Sequence, residues 1–337
     1  MEKYGQYRDK GIAPFFPIPP HTNGLVAIPW GLFLLFLRTP LTIFAWIIWL
    51  IIIQWAPPGT ILRKANLWCI IGIPGIWWVD LQVDGVRRGS LGKYGASHMP
   101  TAGSIIASSH TSPIDVIYLA TIFDPIFTQS YPGTRLVRQL SLSAALASCL
   151  TIPTQPSEGL TTLAELTARH PKRIIAVFPE GTTSNGRGIL QFTHSLLSAS
   201  PSTKIFPVSI RYAPQDIVTP IPGFFEALRF LWRLNGQSSH TVRTRIGTAV
   251  TRKSVSASST PTGKITKRSK YEGNFFDTLD DAATLSTDDD ASDAEKQVLD
   301  AVADTLARLG RVKRVSLGLA EKTTFVAAWR KNSKYRK

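Results

Sequence analysis

The sequence predicts an α/β domain with a mostly parallel sheet, preceded by an N-terminal hydrophobic helical membrane anchor. Two observations support this prediction. Residues 25–56 form an apolar run in which Arg38 is the single charged residue. Between residues 80 and 252, short runs of β-forming residues alternate with helical or turn-rich stretches, and this alternation is typical of layered α/β domains.

The composition narrows the class of protein. Charged residues make up 18% of the chain and apolar residues 44%, so a wholly disordered chain is excluded. The two cysteines, Cys69 and Cys149, exclude a disulfide scaffold and a cysteine-based zinc site. The net charge of +15 predicts an anionic partner, and the low charge content with many aromatic residues favours a membrane surface.

The anchor is the first element along the chain. The alternative is a buried core helix, but a run as apolar as residues 25–56 would then need protein cover on every side. Pro40 is expected to break the run into two arms, each too short for a span of ~20 residues. Two geometries remain open: one tilted span over about residues 33–53 with Arg38 extending to the interface, and a bent helical pair that enters one leaflet and returns. We favour the bent pair, and the tryptophans of the run suit a lipid–water interface.

The α/β region follows the anchor. Residues 67–79 contain Pro74 and cannot span a membrane, so we expect a buried strand and turn or an interfacial patch. Short apolar runs predict strands at residues 104–108, 174–178 and 205–211, and a further strand is predicted at 237–249. Helices are predicted between them at residues 116–122, 140–150 and 189–197.

The C-terminal third changes composition. Residues 253–297 are rich in Ser and Thr and then acidic, so we expect a disordered linker. Residues 298–337 are expected to form a short amphipathic helix and a basic tail, the tail being either a solvated charge run or a contact with anionic lipid. Binding to nucleic acid is not expected. The remaining divisions are a polar arm at 1–24, membrane-associated segments at 25–79 and the α/β domain at 80–252.

The first candidate site is His110, which follows a predicted strand and precedes a predicted helix. Ser112 is expected to cap that helix, with Pro113 in its first turn. His110 would therefore lie on the loop at the carboxyl end of a strand, where open α/β sheets bind ligands. Asp115 can reach back to one imidazole nitrogen and leave the other as a general base. Alternatively, Asp115 serves only the helix dipole.

The second candidate site is the segment at residues 178–187, FPEGTTSNGR, which follows another predicted strand. Its hydroxyls, amide, guanidinium and loop N–H groups suit a phosphate or a phosphorylated glycerol. The alternative is a polar turn. Arg187 and Gly188 stand where a P-loop requires Lys and Ser or Thr, so a nucleotide site is not expected. The chain contains no Gly-x-Ser-x-Gly elbow and no convincing metal-ligand spacing.

Taken together, the two segments resemble a known family. The pair His110-x4-Asp115, followed by Phe178-Pro179-Glu180-Gly181-Thr182, is similar to the glycerolipid acyltransferases of the lysophosphatidic acid acyltransferase type. The resemblance covers roughly residues 80–211, and residues 205–210 are similar to the family's fourth block, which lines the acyl site.

The resemblance implies a reaction. A fatty acyl group passes from acyl-CoA, the co-substrate, to the free hydroxyl of 1-acyl-sn-glycerol 3-phosphate, giving phosphatidic acid without a cofactor or metal. It also implies that His110 is the general base and that Asp115 orients it. The residues expected to bind the acceptor are Glu180, Gly181, Thr182, Thr183, Asn185 and Arg187.

This chain departs from the family pattern at two places. No Arg occurs at residues 149–154, near the family's second block, and Thr183 stands where many lysophosphatidic acid enzymes have Arg. Phosphate contacts are therefore expected from Arg135, Arg138 or Arg187. The departures leave the acceptor open, and a lysophospholipid with a choline, ethanolamine or inositol head group is an alternative.

A non-catalytic membrane-trafficking factor with the same fold is the alternative from another functional class. The expected partners are membrane lipid, acyl-CoA and the lysophospholipid acceptor. By analogy, the expected location is the endoplasmic reticulum membrane, with the lipid droplet also compatible and the active site facing the cytosol.

Overall fold

The structure, a computed structural model, describes residues 2–19, 24–87, 90, 92, 98–154, 158–252 and 293–334. An eight-stranded sheet is covered by helices on both faces. The predicted α/β class, the mainly parallel sheet and the N-terminal apolar helix are confirmed. Most of the predicted linker at 253–297 lies outside the described residues.

The strands and helices are numbered in chain order. The strands are β1 (Ile76–Val83), β2 (Ile105–Ser108), β3 (Ile126–Ser130), β4 (Val137–Leu140), β5 (Leu160–Thr161), β6 (Ile175–Val177), β7 (Gly188–Ile189), β8 (Ile205–Ala213), β9 (His240–Ile246) and β10 (Lys313–Arg314). The α-helices are α1 (Gly24–Ile51), α2 (Ile61–Gly72), α3 (Pro113–Phe123), α4 (Leu142–Ser148), α5 (Leu163–Arg169), α6 (Phe224–Gly236), α7 (Asp293–Gly310) and α8 (Leu319–Lys334).

The strand order of the large sheet is β1-β9-β8-β2-β6-β3-β4-β5. Its centre is parallel, because β2 pairs in parallel with both β6 and β8, and β3 pairs in parallel with β6. Antiparallel pairs join β8 to β9, β3 to β4 and β4 to β5. The carboxyl ends of β2, β6 and β8 therefore meet at one edge, which brings the loops after these strands together.

Alternate side chains of the central strands enter two different cores. Ile106 and Ala176 belong to the core shared with α2 and α3, whereas Ile105 and Val177 belong to the core shared with α5 and α7. Because both faces are buried, these strands are continuous apolar runs in the sequence.

Helix α1, the predicted anchor, continues through Pro40, so the predicted break there is wrong. The buried guanidinium of Arg38 ties this part of the helix to the domain, and those contacts compensate for the helix hydrogen bond that proline removes. Its hydrogen bonds go to the carbonyls of Pro74, Asn235, Gln237 and Ser238. Arg38 consequently points into the protein. The single-span geometry instead requires this side chain to extend to the lipid interface.

The segment Ile28–Ile51 is, among the described residues, the one helix long and apolar enough to cross a membrane, with a mean hydropathy of 2.0. After it, α2 packs back against α1. Residues 67–79 divide between the end of α2 and the start of β1, with a turn in which Gly75 has a φ of +97°.

The helix predicted at residues 189–197 is wrong. The segment begins in β7 and ends in a 3-10 turn, His194–Ser198. Its backbone N–H groups are bound by distant partners instead of by residues four positions earlier. The N–H of Thr193 donates to the carbonyl of Pro179 at 2.8 Å, and that of Gln191 donates to the carbonyl of Leu317 at 3.1 Å. Tertiary hydrogen bonding therefore overrides the local helical pattern.

The two ends of the described chain pack against each other. Phe325 of α8 contacts the rings of Tyr7, Phe15 and Phe16, with centroids between 5.2 and 5.8 Å apart. The segment that the sequence presents as a basic tail thus contains a packed helix, because its apolar residues complete a core with the N-terminal arm.

Candidate active site

His110 lies on the loop between β2 and α3, at the carboxyl edge of the sheet, and is 1% exposed. The predicted helix start is confirmed. Ser112 is the N-cap and its side chain accepts the N–H of Ile114, while Pro113 occupies the first turn. The cap makes this a sharp, well-ordered turn, so the backbone that carries His110 is held in one conformation.

Asp115 holds the loop rather than the imidazole. One carboxylate oxygen accepts the N–H groups of Thr111 and Ser112 at 2.7 and 2.9 Å and the hydroxyl of Thr111 at 3.0 Å. The other oxygen accepts the phenol hydroxyl of Tyr212. No hydrogen bond joins Asp115 to His110 in the described structure, so the expected direct contact is not made here. Burial raises the pKa of Asp115 to about 6, against the lowering effect of these donors.

The imidazole of His110 has one contacted nitrogen and one free nitrogen. Its Nε2 lies 3.1 Å from the Sγ of Cys149, whereas its Nδ1 has no hydrogen-bond partner in the described part of the chain. The ring stacks on Phe178, with centroids 4.2 Å apart and planes 18° apart. Burial lowers the pKa of His110 to about 3, so the imidazole is neutral at neutral pH.

The thiol of Cys149 is not a ready nucleophile. It is fully buried, and burial raises the pKa of the thiol above its usual range. Because the thiolate is the reactive form, a buried thiol of this kind is inert. Cys149 instead packs beside His110 and shares a hydrogen bond with the imidazole.

The loop at residues 178–187 follows β6 and is joined to the first site. The N–H of Ser184 donates to the carbonyl of His110 at 2.8 Å. Gly181 has a φ of +66°, and a Cβ there would lie 3.3 Å from the carbonyl oxygen of Ser130, so the turn requires glycine. The two segments that carry the family resemblance are therefore in contact.

Buried polar groups without partners cluster along this loop. Glu180 is 1% exposed; one of its oxygens accepts the N–H of Leu190 at 3.3 Å, and the other has no hydrogen-bond partner within the described residues. The hydroxyl of Thr182 is likewise buried and unpartnered there. Burial raises the pKa of Glu180 to about 8. Unsatisfied buried groups are rare in proteins, and together with the Nδ1 of His110 they could bind a polar substrate.

The other predicted binding residues have different surroundings. Thr183 donates its hydroxyl to the carbonyl of Thr219 at 2.7 Å. Asn185 donates to the carbonyls of Ala13 and Phe16 at 2.8 and 2.9 Å, so its amide fastens the N-terminal arm. Arg187 is exposed and lines a cleft of about 510 Å³ on the protein surface.

The arginines predicted to contact phosphate are not part of this buried cluster. Arg135 forms an ion pair with Glu295 at 3.0 Å, and Arg138 is exposed on β4. Tyr212 and Lys322 also lie in the site, although the sequence does not predict either of them. Tyr212 is just beyond the predicted strand at 205–211. Its position two residues after Ile210 does not distinguish it from an ordinary strand residue. Lys322 is one of many basic residues in the C-terminal segment, so no local signal distinguishes it.

Among the described residues, no group of three or more His, Cys, Asp or Glu side chains could hold a metal ion. The polar groups of the site are thus those of His110, Asp115, Glu180, Lys322 and the Thr hydroxyls. They are a buried imidazole, a carboxylate that holds the loop carrying this imidazole, and hydrogen-bonding groups beside both.

Comparisons with known proteins agree with this geometry. Residues 91–211 match the model of the Acyltransferase family. The chain is 28% identical over 239 residues, 68% of its length and 79% of the relative, to a Schizosaccharomyces pombe protein named "Putative lysophosphatidic acid:oleoyl-CoA acyltransferase". It is 32% identical over 136 residues to glycerol-3-phosphate acyltransferase 3 of Mus musculus and of Rattus norvegicus, covering 38% of this chain and 30% and 28% of those proteins. The region that matches the Acyltransferase family, residues 91–211, contains His110, Asp115 and the 178–187 loop.

Proposed function

We propose that the protein transfers a fatty acyl group from acyl-CoA to the free hydroxyl of 1-acyl-sn-glycerol 3-phosphate, giving phosphatidic acid. The observation that carries this proposal is the buried, neutral imidazole of His110, whose Nδ1 is unpartnered beside the 178–187 loop. The printed name of the fungal relative includes both an oleoyl-CoA donor and a lysophosphatidic acid acceptor, which supports this choice of substrates.

The proposed step needs one base and no covalent acyl-enzyme. The Nδ1 of His110 takes the proton of the acceptor hydroxyl as that oxygen attacks the thioester carbonyl. The tetrahedral intermediate then expels the sulfur of CoA, and the imidazolium returns its proton to the leaving thiolate. General base catalysis of this kind contributes ~10²–10⁴ in rate. Asp115 acts as a positioning residue because it holds the backbone on which His110 stands.

The close approach of Cys149 to His110 raises a different mechanism, in which the cysteine carries the acyl group as a thioester. The buried thiol with a raised pKa argues against it. We expect Cys149→Ala to keep acyl transfer within about tenfold of the unaltered protein, since it removes a packing contact and one hydrogen bond with His110. The rate of CoA release measures this directly. Loss of activity together with a trapped acyl-thioester on the unaltered protein would show that the cysteine is the nucleophile.

The acceptor is tested by product analysis. Purified protein receives labelled oleoyl-CoA with lysophosphatidic acid, lysophosphatidylcholine, lysophosphatidylethanolamine or lysophosphatidylinositol, and the labelled products are separated. The proposal predicts that phosphatidic acid forms fastest. A faster reaction with an acceptor that carries a head group would retain the mechanism and change the substrate, whereas no product from any acceptor or donor would favour the non-catalytic membrane factor.

We also propose that the enzyme sits on one leaflet instead of crossing the membrane. Arg38 fastens the middle of α1 to the domain. In a membrane-spanning geometry the middle of this helix would instead lie inside the bilayer, away from the domain. The apolar face of α6 is exposed next to α1; its members are Phe224, Phe225, Leu228, Leu231 and Trp232. A one-leaflet anchor suits the cytosolic face of the endoplasmic reticulum and also the monolayer of a lipid droplet.

The α6 surface gives a membrane-binding prediction. Replacing Phe224 and Phe225, which are 73% and 79% exposed, by Asp should weaken binding to phosphatidylcholine vesicles about tenfold or more, because charges replace two aromatic rings proposed to enter the lipid. Flotation of purified protein with vesicles measures the bound fraction. The matched control places Asp at Thr101 and Ala102, an exposed polar loop. Equal binding by all three proteins would contradict the role of α6.

A further inference from the structure

A lysine from the C-terminal helix lies inside the active site. Lys322 of α8 is 0% exposed. Its ammonium donates to the carbonyl oxygen of Thr183 at 2.5 Å and to the hydroxyl of Thr183 at 2.9 Å. Thr183 belongs to the 178–187 loop and adjoins Ser184, whose N–H holds the carbonyl of His110. Two segments far apart in sequence therefore place a cation beside the proposed base.

The burial of this ammonium calls for a reason. In the described part of the chain, no ion pair joins Lys322 to a carboxylate, and both of its hydrogen bonds go to neutral oxygens of one residue. Removing a charge from water without a paired charge is costly, and an apolar side chain of the same volume would stabilise the fold more. Burial lowers the pKa of Lys322 to about 7, although the nearby Glu180 raises it.

The ammonium has donor capacity left for a ligand. A lysine ammonium has three N–H donors, and the two hydrogen bonds to Thr183 leave one of them. The unpartnered hydroxyl of Thr182 lies on the same loop, next to Thr183. An anion with several oxygens could accept from both groups, which is the behaviour of a phosphate.

The position of Lys322 is fixed by the packing of α8. Phe325, on the next turn of the helix, is 0% exposed and contacts Phe15 and Phe16 of the N-terminal arm. The arm is in turn held by Asn185 of the 178–187 loop. Helix, arm and loop thus form one unit, and a cation held in this way is preorganised for a ligand.

We propose that Lys322 binds the phosphate of the lysophospholipid acceptor while His110 takes the proton of its hydroxyl. This inference rests on the proposed function, and it assigns the phosphate contact to the C-terminal helix. The ligand class is a lysolipid with a phosphate monoester or diester next to its glycerol. Charge, hydrogen bonding and burial at Lys322 then serve recognition of the acceptor rather than stability of the fold.

The test compares Lys322→Met, Lys322→Arg and a control, Lys331→Met, which changes an exposed lysine on the same helix. Each protein is assayed with oleoyl-CoA and either lysophosphatidic acid or 1-oleoylglycerol, the same acceptor without phosphate. In Lys322→Met we expect the preference for lysophosphatidic acid, taken as the ratio of the two kcat/KM values, to fall about 10- to 100-fold. Lys322→Arg should retain most of the preference, and Lys331→Met all of it.

A second readout does not depend on turnover. Without acyl-CoA, lysophosphatidic acid should raise the melting temperature of the unaltered protein more than 1-oleoylglycerol does, and Lys322→Met should abolish that difference. Methionine fills the space without a buried charge, so we expect the unliganded variant to melt no lower than the unaltered protein.

The outcomes separate the two proposals. If no acceptor is acylated but the phosphate-dependent stabilisation is present and is lost in Lys322→Met, the proposed function fails and the phosphate site stands. If transfer occurs and Lys322→Met slows both acceptors equally, or if lysophosphatidic acid stabilises the variant as much as the unaltered protein, the phosphate site is contradicted. A large fall in the melting temperature of unliganded Lys322→Met would assign the lysine a structural role and contradict the inference as well.

Discussion

His110→Ala should lower the rate of acyl transfer by ~10²- to 10⁴-fold, which is the contribution of a general base, while leaving the protein bound to membranes. The physical reason is that the buried imidazole is neutral and that its Nδ1 has no hydrogen-bond partner within the described chain, so its loss removes the group proposed to take the hydroxyl proton. His110 is not part of α1, so its replacement should leave membrane binding unchanged. CoA release and vesicle flotation, measured on the same preparation, check both halves of the prediction.

His170→Ala is the matched control for the histidine change. His170 is the C-cap residue of α5 and precedes β6, whereas the site lies at the carboxyl ends of the strands. We expect its activity to stay within about twofold of the unaltered protein. Full activity in His110→Ala would show that another group is the base. Loss of membrane binding in that variant would indicate that the fold itself had been damaged.

Asp115→Ala should have the second large effect, on activity and stability together. The change leaves the N–H groups of Thr111 and Ser112 and the hydroxyl of Tyr212 without their acceptor in a buried site. Each unsatisfied group costs about 1–3 kcal/mol, so we expect the free energy of unfolding to fall by a few kcal/mol. Displacement of the His110 loop should also cost ~10² or more in rate. Thermal unfolding and CoA release measure the two effects.

Asp115→Asn separates two roles for this carboxylate. The asparagine oxygen can still accept the N–H groups of Thr111 and Ser112, so it should hold the loop. If Asp115 works by positioning the backbone, Asp115→Asn retains at least about ten times the activity of Asp115→Ala. An Asp115→Asn protein that is as stable as the unaltered protein and as inactive as Asp115→Ala would show that the negative charge itself is required.

The sequence predicts the centre of the fold well because the central strands are buried on both faces and are bounded by turn residues. The same applies to the start of α3, where Ser112 and Pro113 carry the physical signals of a helix N-terminus. Local chemistry is sufficient for those elements. The continuous helix through Pro40 could not be predicted, since it depends on carbonyl partners of Arg38 that are distant in the sequence: Pro74, Asn235 and Ser238.

The candidate site is predictable to the same extent. His110, Asp115 and the 178–187 loop follow strands whose carboxyl ends meet, so their approach follows from parallel pairing. The contacts of Asp115 were not predictable, because they involve Tyr212 from a third strand. Lys322 was not predictable either: its burial depends on aromatic packing between the two ends of the chain, which no short sequence pattern encodes.

The most direct test of the central claim is the stoichiometry of acyl transfer by purified protein in detergent. Thiol release from oleoyl-CoA is followed while the phosphatidic acid formed from lysophosphatidic acid is measured in the same sample. We predict release that requires the acceptor, matches the phosphatidic acid mole for mole, and is lost in His110→Ala. Thiol release without an acceptor, or no phosphatidic acid from a folded protein, would contradict the account.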